Sequence, residues 1–124
     1  MKQGCFLIAN DNRTLWSDVW LMDGFFERYY GLRKYPMLPA NRALWFRNCC
    51  TIHTLGLYRA IDVIGLNEAQ QIVSVRRNLQ PWKLLRMTAA ASIIECESGS
   101  GLPLEYWIGA QLRFQHKDVS YVTF

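Results

Sequence analysis

The strongest constraint on the fold is a series of short apolar runs that alternate with turn-forming residues. Residues 61–66 and 71–76 are rich in β-branched side chains and flank the polar residues 67–70, which predicts a strand, a turn and a second strand. Residues 4–9 and 14–21 flank an Asn-Asp-Asn-Arg turn and predict a hairpin. The chain is therefore predicted to be mostly β, with further strands from Leu44 onward and at residues 90–96, 111–114 and 119–124, and a helical turn at residues 102–107.

One segment has helical periodicity instead. Asp23 is a suitable N-cap, and the apolar residues after it recur at helical spacing: Phe25, Phe26, Tyr29, Tyr30 and Leu32. We therefore predict a short amphipathic helix over residues 24–33, which Pro36 and Pro39 end. The predicted fold class is α+β, mostly β, in one domain that spans residues 1–124.

Composition and charge limit the class of protein. With 51% hydrophobic and 19% charged residues the chain is globular, and its formal charge of +4 is modest and spread along the sequence, so nucleic-acid binding is not expected. No stretch is long enough to span a bilayer, and the N-terminal residues lack the apolar run and cleavage site of a secretory signal. We therefore expect a cytoplasmic protein whose four cysteines are reduced thiols.

Side chains that carry chemistry are concentrated in residues 45–62. This apolar segment contains two thiols, an imidazole, a hydroxyl, a carboxylate and two arginines: Cys49, Cys50, His53, Thr54, Asp62, Arg47 and Arg59. Such groups are costly to bury without partners, so a site is most expected here. Asp62 lies within an apolar strand, and we expect its carboxylate to be buried and to accept hydrogen bonds from His53, Thr54 or backbone amides of the preceding loop.

Cys50, His53 and Asp62 are the candidates for catalysis, as nucleophile, base and orienting carboxylate. In a strand the thiol and the imidazole would point to opposite faces, whereas a turn between them could bring them together. Asp62 could reach them if residues 52–56 and 60–64 form a hairpin. The alternative, which we favour, is a polar cluster that ties two strands together and has no catalytic role.

A metal site is not predicted at these residues. Cys50 and His53 could supply two ligands, but third and fourth ligands are not evident nearby, and His116 is the only other histidine. No cofactor is predicted either.

The densest basic region of the chain surrounds Trp82 and comprises Arg76, Arg77, Lys83 and Arg86. Such a mixture suits phosphate, carboxylate or acidic partner surfaces, and the indole could stack on a planar group or a sugar. Because sites commonly form on loops held by strands, we predict a positively charged pocket between the His53 loop and the Arg77–Trp82 segment. Its predicted ligand-binding residues are Arg47, His53, Thr54, Arg77 and Trp82.

Several short motifs occur in an order that is typical of one family. The most specific are Cys-Thr-Ile-His-Thr at residues 50–54 and Arg-Asn-Leu-Gln-Pro-Trp at residues 77–82, with Ile-Asp-Val-Ile between them. Shorter matches are Gly31-Leu32, Leu38-Pro39, Leu44-Trp45, Ala91 to Glu95 with Gly99, and Ile108-Gly109. Over residues 20–114 the chain resembles the prokaryotic family catalogued as domain of unknown function, number 192.

The resemblance implies a compact, barrel-like domain with an antiparallel or mixed sheet and a small helix. It implies no established activity. The chain departs from the family pattern at residues 57–60, where Leu-Tyr-Arg-Ala replaces a Met-Arg-x-Pro run, and at Ala110, where an Asp is common. Residues 115–124 extend past the resemblance.

Two functions are left open by the sequence. The favoured one is a non-catalytic binding or accessory module for an anionic small ligand or a partner chain. The alternative is a small hydrolase or transferase that uses Cys50 as its nucleophile. A depressed thiol pKa, measured by pH-dependent alkylation, would distinguish the second from the first.

Overall fold

The computed structural model describes residues 2–24, 31–35 and 37–117. Within these ranges the chain forms nine strands and two short 3-10 helices, at Gly31–Lys34 and Leu104–Trp107. The strands are β1 (Gln3–Ile8), β2 (Thr14–Leu21), β3 (Arg42–Arg47), β4 (Thr51–His53), β5 (Ile61–Leu66), β6 (Ile72–Leu79), β7 (Leu84–Arg86), β8 (Ser92–Glu97) and β9 (Leu112–His116).

Seven of these strands form one curved sheet in the order β6-β5-β8-β3-β2-β1-β9. Neighbours are antiparallel except for β2 and β3, which are parallel. The two edge strands meet at a bridge between Gln71 and Gln111, and the backbone N–H of Leu112 donates to the carbonyl of Gln70 at 2.8 Å. This junction brings the edges of the sheet together, so the predicted mixed, barrel-like and mostly β fold is confirmed.

The central strands of the large sheet, β3, β5 and β8, are buried on both faces. Side chains alternate between the faces along each strand, so the adjacent residues Ile93 and Ile94 of β8 belong to different hydrophobic clusters. The inner cluster is built around Phe6, Trp16 and Trp45. The outer cluster lies on the opposite face and includes Leu44, Phe46, Val63 and Ile93. Burial on both faces explains why β5 is a continuous apolar run with no polar alternation apart from Asp62.

The short strands β4 and β7 form a second sheet that covers the outer cluster. They pair in antiparallel register, with Thr51 opposite Arg86, Ile52 opposite Leu85 and His53 opposite Leu84. Ile52 and Leu85 pack into the outer cluster, while the residues that alternate with them are exposed. This sheet therefore forms an outer layer whose free face carries polar and apolar side chains together.

The loop that departs from the family pattern is tied to β8. The Nε of Arg59 donates to both carboxylate oxygens of Glu97, at 2.7 and 2.8 Å, and the same carboxylate accepts the backbone N–H of Leu38 at 3.1 Å. Arg59 thus links the loop before β5 to the end of β8 without requiring the proline of the family pattern.

Most strand predictions are confirmed, including the β1–β2 hairpin, the β5–β6 pair and β8. The helix predicted over residues 24–33 falls largely on residues 25–30, which lie outside the described residues; the described remainder is the 3-10 helix Gly31–Lys34. The strand predicted at residues 119–124 also lies outside them. The hairpin considered between residues 52–56 and 60–64 is wrong, because β4 pairs with β7 and β5 pairs with β6 and β8.

Candidate functional site

Thr54 joins the two most specific sequence motifs into one structural unit. Its hydroxyl is fully buried, donates to the carbonyl of Gln80 at 2.7 Å and accepts the backbone N–H of Lys83 at 2.8 Å. Its backbone N–H donates to the carbonyl of Lys83 at 2.8 Å, and its own carbonyl accepts the N–H of Trp82 at 3.0 Å. The turn at residues 80–83 is therefore held from both its ends by one residue.

This turn presents Trp82 to solvent in an unusual conformation. The backbone φ of Trp82 is +64°, in the left-handed region that bulky residues rarely adopt. Its side chain is 65% exposed, and the nearby side chains of Leu84 and Leu55 are 75% and 44% exposed. We call the exposed residues His53, Leu55, Trp82, Lys83, Leu84 and Arg86 the Trp82 surface.

The Trp82 surface is basic. Residues 51–61 and 69–94 contain no Asp or Glu, although they contain five Arg or Lys residues. Arg59 and Arg77 are held by carboxylates from other segments. Among the described residues, Lys83 and Arg86 take part in no ion pair. The absence of carboxylates from these segments was visible in the sequence and is the signal that would have defined this surface.

The proposed catalytic residues are not assembled. His53 is exposed on β4, and its Nδ1 accepts the backbone N–H of Leu55 at 3.3 Å. The thiol of Cys50 is half-buried and lies 3.9 Å from the hydroxyl of Thr51. Within the described part of the chain, no hydrogen bond joins Cys50, His53 and Asp62 to one another.

Asp62 is 1% exposed, as expected for a carboxylate within this strand. Its donors differ from those predicted: Oδ2 accepts from Nη1 of Arg77 at 2.9 Å, and Oδ1 accepts the backbone N–H of Asn78 at 2.8 Å. Arg77 also donates to both oxygens of Glu105, at 2.8 and 2.9 Å, and to the carbonyl of Leu102. Asp62 therefore belongs to an ion-pair network with Arg77 and is not bonded to His53 or Thr54.

The electrostatics of this network follow from burial and charge. The hydrogen bond from Arg77 lowers the pKa of Glu105 to about 2, and the same bond raises the pKa of Arg77. Burial, with a further contribution from the negative charge of Asp62, raises the pKa of the Cys96 thiol to about 12. Cys96 is therefore a protonated core side chain at neutral pH and not a nucleophile.

The predicted ligand-binding residues thus divide among three places. His53, Thr54 and Trp82 belong to one unit. Arg77 points its guanidinium into the Asp62 network. Arg47 forms an ion pair with Asp23, with Nη2 of the arginine 2.5 Å from Oδ2, and lines a cavity of about 540 Å³ beside β9.

Glu95 is a second buried carboxyl group. It lies on β8 between Leu44 of β3 and Val63 of β5, and its side chain approaches Gly31 on the outer face of the sheet. Burial raises its pKa to about 8. The family resemblance included Glu95, but the sequence did not indicate that its carboxyl group is buried.

The described residues contain neither a candidate metal-binding cluster nor a candidate membrane-spanning helix. No group of three or more His, Cys, Asp and Glu side chains there could hold a metal ion. No helix in the same ranges is long and apolar enough to cross a membrane.

The chain is a β-rich domain with a mixed sheet, in which hydrogen bonds from Thr54 hold the turn that carries Trp82. The chain belongs to the family catalogued as domain of unknown function, number 192, described as Uncharacterized ACR, whose profile matches residues 7–114. The match extends the resemblance seen in the sequence across β2 and the last two residues of β1. No curated protein matches the chain.

Two solved structures have a similar fold. One, from Sinorhizobium meliloti 1021, is described as a candidate transcription regulator; it is 19% identical, with a TM-score of 0.74 over 92% of this chain and 94% of that chain. The other, from Novosphingobium aromaticivorans DSM 12444, is a protein of unknown function; it is 15% identical, with a TM-score of 0.70 over 90% of this chain and 83% of that chain. At these identities the similarity is one of fold.

Proposed function

We propose that the chain is a non-catalytic binding module that recognises an acidic segment of a partner protein through the Trp82 surface. The observation that carries the proposal is the exposed indole of Trp82 on a left-handed turn that the buried Thr54 holds in place. Backbone strain that the surrounding structure maintains is typical of functional positions. Trp side chains are also enriched among the residues that contribute most to binding at protein interfaces.

The charge of the Trp82 surface selects the chemistry of the partner. Lys83 and Arg86 flank the indole, and the segments that form this surface contain no carboxylate. A partner segment rich in Asp and Glu would be attracted to these cations, while Leu84 and Trp82 would contact its apolar side chains. A nucleic acid fits less well, because it requires a broader basic footprint than a chain of net charge +4 offers here.

Catalysis by Cys50 has less support from the geometry. Asp62, the residue that would orient His53, is bonded to Arg77 and Asn78 instead. A cytoplasmic location is part of the proposal, because the four free cysteines suit a reducing compartment.

The proposal is tested by nuclear magnetic resonance titration of the protein with short acidic peptides that contain one Leu or aromatic residue. Phosphate and sulfate serve as anions without an apolar part. We expect the peptide to perturb backbone signals of His53, Thr54 and residues 82–86 and to bind more weakly as the salt concentration rises. The inorganic anions should bind more weakly than the peptide, because they cannot contact the indole.

Matched variants distinguish specific binding at the Trp82 surface from non-specific binding to exposed aromatic side chains. Trp82→Ala should weaken peptide binding by about tenfold or more, as loss of an interface anchor does. Tyr106→Ala is the control, since Tyr106 is 78% exposed but lies beside the acidic Glu105. Equal effects of the two substitutions, perturbations located away from Trp82, or tighter binding of DNA or RNA oligonucleotides than of the peptide would each contradict the proposal.

A further inference from the structure

The cavity of about 540 Å³ beside β9 is separate from the Trp82 surface. Its volume lies within the range of about 300–1,000 Å³ that is usual for small-molecule sites. The residues relevant here are Trp45, Arg47, Glu68, Gln70, Phe114 and His116. They come from β3, from β9 and from the turn between β5 and β6, so the cavity is built by the large sheet itself.

The strand register places an arginine and a histidine at one end of the cavity. His116 is the β9 residue that pairs with the start of β1. Arg47 is the last residue of β3 and lies two residues after Trp45, which pairs with Leu21 of β2. The backbone N–H of Leu21 donates to the carbonyl of Lys2, just before β1. Arg47 and His116 therefore both lie at the end of the cavity nearest the first residues of β1.

Hydrogen-bond acceptors lie at the opposite end, together with Arg113, whose Nη2 donates to Oδ1 of Asn12 at 2.6 Å. The side-chain amide nitrogen of Gln70 donates to the carbonyl of Leu112 at 3.1 Å, and that of Gln111 donates to the carbonyl of Ala69 at 2.9 Å. Because these nitrogens are engaged, both glutamines offer their amide oxygens, and Glu68 adds a carboxylate. At about 3.3 Å per strand residue, the acceptor end near Leu112 is roughly 13 Å from His116.

The middle of the cavity is aromatic. The rings of Trp45 and Phe114 have centroids 5.1 Å apart and are tilted by 42°. The indole N–H of Trp45 donates to the hydroxyl of Ser92 at 3.0 Å, which satisfies its polar atom. Trp45 is 5% exposed and Phe114 is partly buried, so the apolar ring surface that the pair offers to a ligand is mainly that of Phe114.

We propose that the cavity binds a short free peptide of three residues that carries an aromatic side chain. Its terminal carboxylate would pair with Arg47 and accept a hydrogen bond from an N–H of His116, and its terminal ammonium group would donate to Glu68 and the two glutamine oxygens. The aromatic side chain would pack on Trp45 and Phe114. An extended peptide of three residues spans roughly 10 Å, so it can bring one charged end to each end of the cavity.

The test uses the tripeptide Ala-Phe-Ala in three forms: with free ends, with an acetylated amino terminus and with an amidated carboxyl terminus. Binding is followed by the indole N–H signal of Trp45, with the indole signals of Trp82 and Trp107 as internal controls. We expect the Trp45 signal to shift while the other two remain in place. Each end-blocked form should bind at least about tenfold more weakly than the free peptide.

Two variants assign each end of the peptide to its side chain. Arg47→Gln should remove the preference for a free carboxylate, and Glu68→Gln should remove the preference for a free ammonium group. Arg47→Lys, which keeps the charge, should retain the first preference in part, and Arg76→Gln on β6, which belongs to neither site, should retain both. The ion pair of Arg47 with Asp23 is exposed to solvent, so its loss should leave the fold intact.

Several results would overturn the assignment. Equal affinity for the free and blocked peptides would show that the terminal charges are not recognised. An unmoved Trp45 signal, or variants that weaken all three peptide forms to the same extent, would show that the cavity does not bind peptides in this way.

Discussion

The buried carboxyl group of Glu95 should make the stability of this protein fall as the pH rises towards neutrality. Burial raises its pKa from 4.5 to about 8, so between these values the folded chain retains a proton that the unfolded chain releases. The stabilising contribution of the protonated Glu95 side chain is therefore fully present below about pH 4.5 and is lost progressively up to about pH 8. Since one pKa unit corresponds to about 1.4 kcal/mol, the loss at pH 7 is roughly 3 kcal/mol.

The substitution Glu95→Gln isolates this effect, because it preserves the size of the side chain and removes the ionisable group. We expect the variant to match the parent protein near pH 4.5 and to exceed its free energy of unfolding by roughly 3 kcal/mol at pH 7. Denaturation by urea, followed by circular dichroism at several pH values, measures both quantities. Glu68→Gln, which removes an exposed carboxylate, is the matched control.

The reasoning about Glu95 would be refuted by parallel pH profiles for the parent and Glu95→Gln proteins. Such a result would mean that the carboxyl group ionises as readily in the folded chain as in the unfolded one. A variant less stable than the parent at pH 7 would show instead that the charged form of Glu95 is stabilised by its surroundings.

Three further predictions concern the other buried polar groups and the strained turn. Asp62→Ala should lower the free energy of unfolding by about 1–3 kcal/mol, because the N–H of Asn78 loses its acceptor, and unchanged urea denaturation would contradict this. Thr54→Val should lower the free energy of unfolding by about 1–3 kcal/mol for each hydrogen-bond partner of the hydroxyl left unsatisfied, and it should broaden the amide signal of Lys83. A sharp, unmoved signal would show that the Thr54 hydroxyl does not hold the turn at residues 80–83. Trp82→Gly should leave stability nearly unchanged, because relief of a left-handed conformation worth about 1 kcal/mol offsets the greater chain entropy of glycine. Denaturation curves for Trp82→Gly and Trp82→Ala test this: we expect the two variants to be about equally stable, and a Trp82→Gly protein less stable than Trp82→Ala by about 0.5–1 kcal/mol would show that the turn is unstrained.

Local patterns in the sequence were sufficient to locate most strands but not their more distant partners. The β1–β2 and β5–β6 pairs join neighbours in the chain, and turn residues between apolar runs predicted both. The strand β7 was missed because its three residues have no alternation long enough to detect, and β4 pairs with it across 30 residues of intervening chain. That pairing follows from the burial of Ile52 and Leu85 against the outer cluster, which is a property of the folded molecule.

The environment of Asp62, one of the three candidates for catalysis, shows why the surroundings of these residues could be predicted only in part. Its burial followed from the apolar residues beside it in β5. Its partner did not, because the β5–β6 register shifts between Ile61 and Val63, so that an extra residue of β6 lies opposite Asp62. Asn78, with a backbone φ of +55°, lies in this irregular stretch, and the local bend brings Arg77 to the carboxylate.

The two most specific motifs of the family acquire a common explanation once the fold is known. Thr54 ends one motif and Trp82 ends the other, and hydrogen bonds between them hold a turn that a glycine would form with less strain. A turn suited only to stability would bury the indole and place glycine at the left-handed position. The chain instead buries a hydroxyl group and exposes an aromatic ring, with cations beside it and no carboxylate in either segment. This arrangement is better explained by recognition of another molecule than by the requirements of folding.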